Sequence, residues 1–166
     1  VRCAIKNCNF EFPSARITVN LAPADIRKEG PIYDLPLLIA LLTASEQIRI
    51  DSKNCVFIGE LSLSGELRPI NGVLPMCIKA KEHGFKYIFL PAENADEAAI
   101  VNGLNIIPIK TVNDLLNHFN GKKIITPTPP LDLKNIKNLN IPDFSQVCGQ
   151  NDAKRALEIA ASGGHN

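Results

Sequence analysis

A chain of 166 residues is long enough for one domain, or one domain and a tail, and its 45% hydrophobic content supports an ordinary core. A formal net charge of +1 gives no long-range attraction to nucleic acid or to an anionic membrane. The longest strongly apolar stretch, residues 35–44, falls short of the ~20 apolar residues that a membrane span needs, so it is expected to be a core helix and no membrane partner is expected.

Val1, Ala4, Ile5 and Cys8 recur at i, i+3, i+4 and i+7, the spacing of a helix end. The absence of an initiator Met and of a charged-then-apolar leader fits a chain that starts inside a longer protein. Residues 16–21 alternate and are rich in β-branched side chains, so they predict a strand stopped by Pro23. A polar loop is expected over 24–33. Asp34 then stands at an N-cap position, with Pro36 in the first turn of a helix to about Ser45. Residues 55–60 predict a strand and 61–68 a hairpin turning at Ser64-Gly65. A helix over 73–82 ends at Gly84, with Pro75 tolerated in its first turn. A buried strand at 87–90, a helix at 93–101, a strand at 104–109 and a helix at 111–119 capped by Thr111 complete the run. This alternation predicts an α+β or α/β layer fold. From Gly121 the chain becomes polar and proline-rich, which reads as an extended linker, and helical patterning returns after Pro142 with Ala153, Ala156, Leu157, Ile159 and Ala160 on one face.

The usual catalytic and binding templates are missing. There is no G-x-x-x-x-G-K-S/T phosphate loop, no G-x-G-x-x-G fingerprint, no G-x-S-x-G elbow and no His-Glu-x-x-His pair. Asp96-Glu97 is expected on a solvated helix face rather than in acid–base work. The five cysteines (Cys3, Cys8, Cys55, Cys77, Cys148) form no Cys-x-x-Cys pair and have no His at zinc spacing. They are expected to be bystander thiols in a reducing cytosol, and no metal site is predicted. His83, His118 and His165 are scattered and read as loop or helix-end residues.

One segment is specific: Gly59-Glu60-Leu61-Ser62-Leu63-Ser64-Gly65-Glu66-Leu67-Arg68-Pro69-Ile70-Asn71-Gly72-Val73. With Lys28-Glu29-Gly30-Pro31 upstream, and Ala80 to Lys86, Phe89 to Asn94 and Ile106 to Lys110 downstream, it resembles the catalytic domain of Lon proteases over roughly residues 16–120. The resemblance implies an α+β, two-layer α/β sandwich of the ribosomal protein S5 domain 2-like, Lon protease-like type. Lon proteases cleave with a Ser–Lys dyad, in which a neutral amine takes the hydroxyl proton. Their serine follows the Gly-Pro of an acid-Gly-Pro-Ser motif, and Ile32 follows Gly30-Pro31 here. Their lysine lies two residues beyond Pro-Ile-Gly-Gly, where this chain has Leu74. Neither hydrocarbon can hold a proton, so no catalytic residue is predicted. Ser14, Ser45, Ser52, Ser62 and Ser64 are expected to serve in caps, turns or strands.

The whole chain resembles the magnesium-chelatase-like AAA+ proteins of the competence protein ComM (YifB) type. The residues that carry this are Phe10 to Pro13 with Arg16 to Ile26, Tyr33-Asp34-Leu35-Pro36, and Gly149 to Asn166. The resemblance implies a Lon-like domain over 1–122, a Pro-rich linker over 123–143, and over 144–166 the first helix of an AAA+ module cut before its Walker A loop. It further implies a cytoplasmic, homo-hexameric parent that uses ATP and Mg and drives DNA branch migration in natural transformation. No cofactor is expected on residues 1–166 themselves. Their expected role is that of a non-catalytic accessory domain in contact with the rest of the AAA+ chain. Two rivals stay open: an active Lon-type serine peptidase, and a nucleic-acid-binding module of S5-like fold.

Overall fold

The computed structural model describes residues 1–21, 30–131 and 143–164. It divides the chain into two compact units, Val1–Leu131 and Asp132–Asn166. Most of the loop expected over 24–33, the second half of the proline-rich tract and His165 lie outside the described residues.

The first unit contains helices α1 (Arg2–Asn7), α2 (Asp34–Ala44), α3 (Val73–Glu82), α4 (Ala95–Ala98) and α5 (Val112–Phe119). Its strands are β1 (Cys55–Phe57), β2 (Glu60–Leu61), β3 (Leu67–Arg68), β4 (Tyr87–Pro91) and β5 (Asn105–Ile109). β1, β4 and β5 form a three-stranded parallel sheet in the order β1-β4-β5, and β2-β3 is a separate antiparallel hairpin. Alternation along the strands sends side chains to opposite faces. Ile88, Leu90 and Ile106 join Val73, Cys77, Ala80, Ala95 and Ala98 of α3 and α4 in one cluster. Phe89, Ile107 and Ile109 join Ile5, Leu35, Leu38, Leu42, Leu115 and Leu116 of α1, α2 and α5 in another. Both faces of the sheet are therefore covered by helices, which differs from the two layers expected. The crossover helices α3 and α4 both lie on one face, and the helices outside the crossovers, α1 and α2 before β1 and α5 after β5, cover the other, so strands that are apolar on both sides are buried on both. β5 is an edge strand whose outer side meets an isolated bridge from Thr128 at Ile106, and it carries Pro108, a residue confined to such edges because it cannot donate to a ladder.

Helix ends follow their local chemistry. Thr111 caps α5, its Oγ1 accepting from the Asp114 N–H at 3.1 Å. Gly84, at φ +81°, supplies the left-handed turn after α3. Asp34 behaves differently from the expected N-cap. It is the first residue of α2, and its Oδ2 accepts from the Leu61 N–H at 3.3 Å, tying the helix to the hairpin. The strand expected over 55–60 is broken at Ile58-Gly59 into β1 and β2, because Gly59 bonds the turn at residues 31–33 instead of a neighbouring strand. The helix expected over 93–101 is only a 3-10 turn followed by the single turn of α4.

The strand predicted over 16–21 does not form. Among the described residues these positions bond to no strand, and Ile17, Val19 and Leu21 are exposed. Period-2 alternation reports one apolar face, but a strand also needs a backbone partner. The segment instead lines an apolar groove of about 650 Å³ together with Pro36, Leu37, Ala40, Leu41 and Ala44 of α2.

The second unit contains a 3-10 turn at Phe144–Gln146 and helix α6 (Asn151–Gly163). Asp143 caps the turn through the Ser145 N–H at 2.8 Å. Leu157 and Ile159 of α6 are exposed, and Gly164 ends the helix in a left-handed conformation at φ +64°.

Candidate functional site

The two positions that matter most by sequence, Ile32 and Leu74, border the same apolar cluster. Ile32 lies in the 3-10 turn Pro31–Tyr33, and Leu74 lies in the first turn of α3. Both are half-buried and pack against the same cluster of Ile58, Val73, Cys77, Ile88 and Leu90. The backbone fixes each of them. The Ile32 carbonyl accepts from the Gly59 N–H at 3.1 Å, and the Gly59 carbonyl accepts from the Leu35 N–H at 3.2 Å. The Leu74 N–H, one of the unpaired donors at the start of a helix, donates to Glu97 Oε1 at 3.1 Å.

Asn94 holds the loop that leads into α3. It is 8% exposed, and its Oδ1 accepts from the Ile70 N–H at 3.0 Å while its Nδ2 donates to the Ile70 carbonyl at 2.9 Å. A carboxamide can pair a donor and an acceptor of one peptide segment at once, so the Pro69-Ile70-Asn71-Gly72 loop is clamped. Gly72 then enters α3 from φ +76°. The sequence gives neither residue its role: Asn94 enters only as the end of the Phe89 to Asn94 block and Glu97 only as part of a solvated face, because each acts on a residue more than twenty positions away.

The serines sit elsewhere. Ser62 Oγ and Ser64 Oγ are 2.8 Å apart at the hairpin tip, where Ser62 Oγ accepts from the Glu66 N–H and Ser64 Oγ donates to Glu66 Oε2. Ser45 Oγ donates to the Leu41 carbonyl at 2.9 Å at the end of α2. Among the described residues no hydroxyl is hydrogen-bonded to a lysine amine. Lys79 pairs with Glu82 and Lys123 with Asp114, and Lys154 Nζ donates to the Val147 carbonyl. Arg155 pairs with Glu158 on the exposed face of α6.

The cysteines are unsuited to nucleophilic work where a shift is resolved. Burial pushes the Cys77 thiol up to about 11, with help from the Glu97 charge. Cys8 is raised by burial, and Cys55 by burial and then by Asp51. A thiol raised in this way stays protonated at neutral pH. Among the described residues no three His, Cys, Asp or Glu side chains are grouped as a metal would need, and no helix is long and apolar enough to cross a membrane.

Comparison with known proteins gives a consistent picture. The family described as subunit ChlI of Mg-chelatase matches residues 1–94, and the family described as magnesium chelatase, subunit ChlI, matches residues 143–166. Competence protein ComM of Haemophilus influenzae is 39% identical over the whole of this chain, which covers 33% of that protein. YifB of Escherichia coli is 40% identical over the whole chain, covering 32% of its length. The chain thus spans about a third of the length of these relatives. Lon protease 2 of Bacillus subtilis is 32% identical across 68% of this chain and 19% of its own length.

Proposed function

From the premise that the chain belongs to the magnesium-chelatase ChlI family, among the ComM and YifB proteins, we propose that residues 1–122 are a non-catalytic accessory domain of a ComM-like AAA+ ATPase. In this reading the domain is a Lon protease-like relative of the ribosomal protein S5 domain 2 type with helices on both faces of its sheet, residues 123–143 link it to the motor, and residues 144–166 open the AAA+ module. One observation carries the reading: Ile32 and Leu74, the positions that the resemblance aligns with the nucleophile and base of a Lon-type enzyme, both pack against one apolar cluster. A hydrocarbon pair on a hydrophobic cluster supplies no proton acceptor and no attacking oxygen, which peptide hydrolysis requires. The scaffold is then kept for assembly or partner contact, while ATP and Mg are bound elsewhere in a cytoplasmic, hexameric parent that moves branched DNA.

Incubation of the chain with labelled casein tests the proposal. No release of peptides is expected, and digestion that disappears with a single Ser→Ala change would overturn it. Calorimetry with ATP on the same chain is expected to give no binding heat, because no phosphate loop is present in its sequence.

A second reading, a nucleic-acid-binding module, is favoured by one place. Phe85 and Tyr87 are exposed on either side of Lys86, and the Lys86 and Tyr87 N–H groups both donate to the Asn54 carbonyl beside Lys53. Exposed rings beside cations are the elements on which bases stack. A gel shift with single-stranded and branched DNA at ~50 and ~200 mM salt separates the two readings. A salt-sensitive shift lost in Tyr87→Ala favours the module; no shift favours the accessory domain.

A further inference from the structure

The segment after α5 departs from the surface in a defined way. The Lys122 and Lys123 N–H groups donate to the Asn117 carbonyl at 2.9 and 3.2 Å, and the Thr128 N–H donates to the Ile106 carbonyl at 2.8 Å, adding a bridge on the outer edge of β5. The Leu131 N–H donates to the Ala99 carbonyl at 2.9 Å. These acceptors are main-chain carbonyls and do not titrate. The tie between them is different: the Ile125 N–H donates to His118 Nδ1 at 2.9 Å. An Nδ1 that accepts carries no proton, so the ring is held as the neutral tautomer with its proton on Nε2.

We propose that residues 122–131 are a strap latched across the sheet edge by the neutral His118 imidazole, and that protonation of this ring opens the latch and bares the outer edge of β5. An imidazolium presents N–H at both nitrogens, so the Ile125 N–H loses its acceptor and meets a second donor. The surroundings set the direction of the response. On β4, the His118 ring meets Phe89 edge-on at 5.6 Å, and its own neighbour Phe119 lies at the same distance. Asp114, one turn earlier on α5, and Lys122 and Lys123 on the strap are the charged groups on the packed elements. Asp114 is paired with Lys123 at 3.2 Å. Burial would raise the Asp114 carboxyl, but hydrogen bonds from Thr111 and Lys123 and the Lys123 charge hold it low, so this ion pair persists where histidine titrates. Burial pulls His118 below the ordinary imidazole range. The unfolded chain therefore takes up a proton first as the pH drops. The stabilising contribution of the neutral ring is full above the ordinary imidazole range and is lost as pH falls toward the lower folded value.

The consequence of opening is specific. An unpaired strand edge is a template for pairing with another chain, and the Thr128 bridge is what covers β5 at Ile106.

Amide exchange by NMR on the full 166-residue chain, from about pH 7.5 to about pH 5, tests the latch. Protection is expressed relative to the intrinsic rate at each pH, and the His118 ring is titrated in the same samples. Ile125 and Thr128 are expected to lose roughly tenfold or more of their protection along the His118 titration, while Leu116 in the core keeps its own. His118→Asn places an amide oxygen where Nδ1 sits, an acceptor that does not titrate, and its Ile125 protection is expected to stay flat. Ile125 protection that stays constant in the wild type while His118 titrates overturns the proposal, and so does a His118→Asn chain that loses it along the wild-type curve.

Discussion

At the scale of single residues, two side chains do what their neighbours in sequence give no hint of. Asn94 pairs both the N–H and the carbonyl of Ile70 from a buried position. Leucine at this site keeps the volume but leaves two peptide groups without partners. Asn94→Leu is expected to lower stability by about 2–4 kcal/mol in urea denaturation, the cost of stranding buried polar groups. Asn94→Asp is expected to fall between, since it keeps the acceptor and loses the donor. Cys77 makes a second test. Its thiol is fully buried and pushed up to about 11, whereas Cys3 and Cys148 are exposed. Mass-resolved iodoacetamide labelling of the native chain is expected to modify Cys3 and Cys148 first and Cys77 only on unfolding. Early labelling of Cys77 contradicts its placement on the buried face of α3.

At the scale of elements, the β2-β3 hairpin shows how a turn is fixed by its surroundings. Gly65 has φ +86°, its carbonyl accepts from the Val112 N–H at 2.9 Å, and a Cβ added there would lie 2.4 Å from Cys8 Sγ. Gly65→Ala is expected to cost about 1–3 kcal/mol in thermal or urea unfolding, from backbone strain and overpacking together. Adding Cys8→Ala removes the clash but not the strain, so the double variant is expected to recover only part of the loss. The helices α2, α3 and α5 were legible because local signals set their ends: Pro36 in a first turn, Gly84 after a last turn, Thr111 at a cap. The hairpin was legible from Ser64-Gly65. The junction at Ile58-Gly59 was not, because an apolar run reads as one strand until a distant turn claims the backbone of Gly59. Residues 16–21 misled for a related reason, since their alternation marks an apolar face that borders α2 and not a ladder.

At the scale of the molecule, the parallel sheet is covered on both faces, and Ile32 and Leu74 both pack against one of the two resulting clusters. The alternation of strands and helices predicted a layered fold, but the number of layers depends on which face the flanking helices α1, α2 and α5 take, which no local pattern encodes. The candidate site was legible only as a register: Ile32 after Gly30-Pro31 and Leu74 after Gly72-Val73. Its clamps, Asn94 and Glu97, emerge only when the chain is folded. The central claim is that a Lon-like scaffold here carries hydrocarbon where hydrolysis needs a hydroxyl and an amine. The most direct measurement is treatment of the native chain with a fluorophosphonate probe, with adducts mapped by mass spectrometry. The account predicts no serine labelled above the level of a heat-denatured control. A single serine that reacts in the native chain, and whose replacement by alanine abolishes the signal, contradicts it.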